Sequence, residues 1–77
     1  MNNPRRKELK KAIDLIMEAR LIVEMVQEEE YDAFCNLPEG LQNSERGEAM
    51  EENANRLEDI AYSLGDFEDE LEDIING

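Results

Sequence analysis

Residues 36–53, NLPEGLQNSERGEAMEEN, gather Pro, Gly, Asn and Ser as no other stretch of this chain does, and they lie midway between two charged, periodic segments. Between Pro4 and Pro38 there is neither proline nor glycine. Pro4 suits a first helical turn, with Asn3 as the N-cap, so the sequence predicts a first helix over about residues 4–36. Ser44 is placed to cap a second, over about 45–75, leaving a connector of about 37–44. Gly65 interrupts neither the apolar spacing nor, on this reading, the second helix, at a cost of about 1 kcal/mol relative to alanine.

Both segments carry heptads. In the first, Leu9, Ile16 and Val23 recur every seven residues, each followed three places later by Ala12, Ala19 or Val26. In the second, Met50, Leu57, Leu64 and Leu71 are followed at the same interval by Asn53, Ile60, Phe67 and Ile74. A short connector makes the helices antiparallel neighbours. The expected layers pair Leu9 with Ile74, Ala12 with Leu71, Ile16 with Phe67, Ala19 with Leu64, Val23 with Ile60 and Val26 with Leu57, small residues against large. The fold point then falls between Leu41 and Gln42, Phe34 approaches Gly47, and Gly40 supplies a backbone conformation that a Cβ disfavours. Arg5, Arg6, Lys7, Lys10 and Lys11 come beside Asp66, Glu68, Asp69, Glu70, Glu72 and Asp73, a block of opposite charge that selects the antiparallel orientation. The fold expected is all-α, one antiparallel two-helix coiled-coil hairpin.

A hairpin alone leaves too much uncovered. Seventy-seven residues bury little apolar surface without disulfide, metal or oligomerisation. Cys35 is the only cysteine and there is no histidine, so neither an internal disulfide nor the usual zinc ligand sets exist. Residues 12–26, AIDLIMEARLIVEMV, are apolar almost all round: beyond the expected seam they add Ile13, Leu15, Met17, Leu21, Ile22 and Met25. One partner helix does not cover that circumference, and large exposed patches mark interfaces. Self-association through these six residues is expected, as a homodimeric four-helix bundle with the first helices innermost.

The charge narrows the partners. With 21 acidic and 8 basic side chains the net charge is −13, which repels the phosphate backbone of nucleic acids and speaks against direct DNA or RNA binding. Asp14, Glu18, Arg20 and Glu24 interrupt the apolar run, which is too short and polar to span a membrane. The basic start is not followed by the apolar core of a signal peptide, and one unpaired thiol suits a reducing compartment, so a cytoplasmic setting is expected.

No chemistry converges. The carboxylates Glu28, Glu29, Glu30 and Asp32 point in different directions from consecutive helix positions, and no calcium-loop spacing occurs, so no metal site is expected. Cys35 has no histidine to activate it as a nucleophile. Neither a hydrolase triad, a phosphate-cradling glycine loop nor a cofactor fingerprint is present. An enzyme is the least supported class, and no cofactor is expected. Arg56 is expected to face Glu29. Arg46 stands at the positive end of the second helix, where a cation is disfavoured. It either pairs with Glu45 or Glu39 or joins Ser44 in an anion site, and the local pair is the simpler reading.

The basic helix start, the apolar first helix, the connector YDAFCNLPEGLQNSERGEAMEEN (residues 31–53) and the acidic heptads that follow resemble small acidic helical-hairpin proteins of phages, prophages and mobile elements. The resemblance implies a bacterial or phage cytosolic setting and supplies no catalytic residue. With it, the residues suggest a non-enzymatic interaction protein. Its acidic face, drawn from Glu51, Glu52, Glu58, Asp59, Asp66, Asp69, Glu72 and Asp73, docks a basic host protein surface by imitating phosphates or by inhibiting a defence protein. The alternatives are an oligomeric sponge that holds a nucleotide-like molecule through Arg5, Arg6, Lys7, Tyr31, Phe34 and Arg46, and a purely structural assembly protein.

Overall fold

Asn2 starts the first helix. Its side-chain oxygen accepts the backbone N–H of Arg5 at 3.0 Å, so the cap falls one residue earlier than the sequence suggested, with Pro4 inside the first turn. In the computed structural model, which describes residues 1–77, α1 runs Asn3–Cys35, α2 is a single turn Glu39–Gln42, and α3 runs Glu45–Asn76. The α1 and α3 helices pack as an antiparallel hairpin about 58 Å long and 15 Å across. Helix α3 passes through Gly65 without a break, as its uninterrupted apolar spacing implied.

The connector is more ordered than a turn. Gln42 donates its side-chain amide to the carbonyls of Cys35 (3.3 Å) and Leu37 (3.2 Å), near the end of α1 where carbonyls lack helical partners. Ser44 accepts the N–H of Gly47 at 3.2 Å and so caps α3, as expected. Gly47 serves a different neighbour than Phe34: a Cβ there would collide with the backbone carbonyls of Leu41 and Gln42. Gly40 lies in the α2 turn with a negative φ and open space around it, so it needs none of glycine's special freedom.

The seam differs from the one expected. Half-buried positions on α1 follow Arg6, Leu9, Ile13, Ile16, Arg20, Val23, Gln27, Glu30 and Phe34, and the protected positions on α3 follow Gly47, Met50, Ala54, Leu57, Ala61, Leu64, Glu68, Leu71 and Ile75. The expected heptad leaders Leu9, Ile16, Val23, Leu57, Leu64 and Leu71 are in place. Their companions stand four residues on, not three, so each helix is turned about its axis. The positions meant to complete the core, Ala19, Val26, Ile60, Phe67 and Ile74, are exposed. Small residues explain the turn: Ala54 and Ala61, buried one heptad apart on α3, let the helices approach, where Ile60 and Phe67 would hold them apart, while Gly47 one heptad earlier admits the connector. Only Gly47, Ala54, Ala61 and Ile75 are buried.

Candidate functional site

The turned seam gives the hairpin two unlike sides. On one, Arg20, Glu24 and Gln27 of α1 and Glu58, Gly65 and Glu68 of α3 line a common polar groove. Arg20 donates its Nε–H to Glu68 Oε2 at 2.6 Å and its Nη1–H to Glu24 Oε1 at 3.0 Å. The bond to Glu68 foremost, and then the one to Glu24, raises the Arg20 pKa above its ordinary value, so this cation stays charged. Its stem lies over Gly65, where a Cβ would sit 3.7 Å from Arg20 Cδ.

On the other side the flanking positions are apolar. Leu15, Ile22 and Val26 of α1 are exposed, and so are Ile60, Phe67 and Ile74 of α3. Both rows lie away from the polar groove. In an antiparallel pair whose seam uses the i and i+4 positions, the i+3 positions of the two helices share one edge.

The residues expected to drive self-association separate accordingly. Ile13 is half-buried in the interhelix seam and is not available to a partner. Leu15 and Ile22 belong to the apolar edge, Met17 to the polar side, and Leu21 and Met25 to the outer surface of α1. The spacing of Ile60, Phe67 and Ile74 was a sufficient sign of an apolar row, but the expected core absorbed it.

The expected acidic face is exposed in full: Glu51, Glu52, Glu58, Asp59, Asp66, Asp69, Glu72 and Asp73 all reach solvent. None is in an ion pair. The chain's three salt bridges use Glu8 with Lys11, and Glu24 and Glu68 with Arg20. The basic start of α1 therefore forms no bridge to the end of α3, and neither Arg56 with Glu29 nor Arg46 with Glu45 or Glu39 forms the pair expected of it.

At the connector, Ser44 caps α3 and Arg46 stands exposed in its first turn beside Glu45 and Glu48, acids that favour the helix dipole. Tyr31 and Phe34 form a tilted pair, ring centres 6.4 Å apart. Arg5, Arg6 and Lys7 open α1 at the far end of the 58 Å molecule, so one chain does not assemble the nucleotide-holding set. No helix is long and apolar enough to cross a membrane. Compared with known protein families, curated proteins and solved structures, the chain matches none.

Proposed function

We propose that this chain is a non-enzymatic interaction protein of a phage or mobile element, acting in the bacterial cytoplasm as a homo-oligomer and presenting its acidic α3 surface to a basic host protein. The observation that carries the reading is uncompensated charge: eight exposed carboxylates on α3 without one bridging cation. A row of carboxylates along a rigid helix offers a basic nucleic-acid-binding or defence protein the charge pattern of phosphates. Such docking is fast and steered by long-range attraction, and salt weakens it. The test is capture of basic proteins from bacterial lysate by the immobilised chain, at low and high salt. A variant carrying Glu58→Gln, Asp59→Asn, Asp66→Asn and Asp69→Asn is expected to lose capture while keeping its helix content. Equal capture by the neutralised variant, or capture indifferent to salt, overturns the reading.

A further inference from the structure

We infer that the apolar edge formed by Leu15, Ile22 and Val26 of α1 with Ile60, Phe67 and Ile74 of α3 is a dimer interface, and that its occupant is a second copy of this chain packed antiparallel. The inference rests on the self-association just proposed and gives it a face and an orientation.

Area comes first. A compact monomer of 8.9 kDa exposes about 4,800 Å² by the usual scaling of surface with mass, whereas this chain exposes 5865 Å². The excess is roughly 1,000 Å², close to the ~800 Å² that each partner contributes to a standard interface. The apolar part concentrated on one edge includes Leu15, 66% exposed, and Phe67, 53% exposed.

The spacing selects a helix as occupant. Leu15, Ala19, Ile22 and Val26 repeat at alternating intervals of four and three, which is a second heptad seam on α1 that the hairpin leaves empty. The small Ala19 lies between larger residues, giving a hole beside knobs. The α3 row supplies a second wall along the same edge.

Self-complementarity selects the second copy. A two-fold axis crossing α1 between Arg20 and Leu21 sets Leu15 against Val26 of the other chain and Ala19 against its Ile22, so every layer is apolar and the small residue meets a large one. The same axis brings Lys11, which flanks the edge, near Glu29 of the second copy, the residue that follows Leu15 and Ile22 along the edge at heptad spacing. Within one chain Glu29 and Glu30 have no cation at all, and of the basic residues at the start of α1 only Lys11 has a carboxylate partner, Glu8. A parallel dimer would instead stack like charge on like.

The native chain carries its own reporter. A spin label on Cys35, the sole and exposed cysteine, is expected to give an inter-label distance of about 45 Å, set by the 1.5 Å rise from the axis to residue 35 in each copy. Labels within about 20 Å indicate parallel packing and overturn the orientation; no inter-label coupling at any concentration overturns self-association with it. The face is tested by Phe67→Glu with Ile74→Glu, expected to yield helical monomer by sedimentation, whereas Leu21→Glu with Met25→Glu on the outer surface leaves the dimer intact. The opposite pattern overturns the face and leaves self-association standing. Accessibility of the unsubstituted chain to a neutral paramagnetic probe gives the same answer without altering the fold. Ile22 and Phe67 are expected to be shielded and Leu21 and Tyr62 open; Ile22 and Phe67 as open as Leu21 would overturn the face.

Discussion

Arg20 reaches across the interhelix seam to Glu68, placing Nε 2.6 Å from Oε2, with side chains only 25% and 12% exposed. The seam around this pair is built of Ile16, Val23, Ala61 and Leu64, which by themselves would tolerate a slip of one heptad. A half-sheltered cation with one matching carboxylate does not. The pair therefore defines alignment more than it adds stability, since charges taken from water recover little beyond their desolvation.

Glu68→Leu alone is expected to lower the melting temperature by several degrees, because Arg20 keeps only Glu24. Arg20→Met together with Glu68→Leu is expected to restore it. The double variant should also form slipped hairpins, read out by cysteine pairs: Val23→Cys with Ala61→Cys oxidises within one chain in a Cys35→Ser background, and a pair one heptad displaced, Val23→Cys with Ala54→Cys, oxidises only when the charge pair is gone.

The glycines separate by what surrounds them. Gly47→Ala is expected to destabilise by about 1–3 kcal/mol, because the new methyl meets the Leu41 and Gln42 carbonyls and the connector must open. Gly65→Ala should stabilise by about 0.5–1 kcal/mol, since the space is ordinary contact with the Arg20 stem and helix propensity then decides the sign. Chemical denaturation of the two variants against the parent checks both signs.

How far the sequence could be read follows from what each pattern constrains. Two helices, their ends, the cap at Ser44 and passage through Gly65 come from local rules, and those rules act within a few residues. The rotation of each helix was not legible in the same way. Ala12, Ala19, Val26, Ile60, Phe67 and Ile74 fit a seam as well as Ile13, Arg20, Gln27, Ala54, Ala61 and Glu68 do, and by hydrophobicity alone they fit it better. What decided between the two seams was close approach at Ala54 and Ala61 and the reach of Arg20, both of which depend on the pair of helices. The acidic face was legible because exposure of carboxylates needs no register.

Ser44→Ala is expected to cost about 1 kcal/mol through loss of the bond from the Gly47 N–H. Arg46→Ala should be neutral or slightly stabilising, as a cation leaves the positive end of α3 and no ion pair is broken. Melting curves report both. Loss of partner capture in Arg46→Ala at unchanged melting temperature would move the binding site from the acidic α3 surface to the connector.

Tyr31 gives a pH dependence. Its phenol pKa is raised, chiefly by hydrogen bonding with the neighbouring Cys35 side chain and further by the charges of Cys35 and Glu51. An acid held protonated in the folded state is tolerated below its unfolded pKa of about 10 and opposes folding as pH rises past that value. Stability is therefore expected to fall above about pH 10 in the native chain, and Tyr31→Phe should flatten the decline. Arg20, with its pKa raised, keeps its contribution through that whole window and loses it only at still higher pH.

The connector that Gln42, Ser44 and Gly47 hold together also sets a direction in time. Facing residues on α1 and α3 are separated by few positions near α2 and by most of the chain near Leu9 and Ile75, so the entropy of bringing them together is least at the connector and grows toward the open end. The hairpin is expected to close as a zipper from Phe34 and Met50 outward. Substitutions at Gln42 or Gly47 accordingly slow refolding, whereas those at Leu9 or Ile75 leave the folding rate alone and hasten unfolding. The open end, where α1 begins with its basic residues, is thus the last part of the molecule to form and the first to come apart.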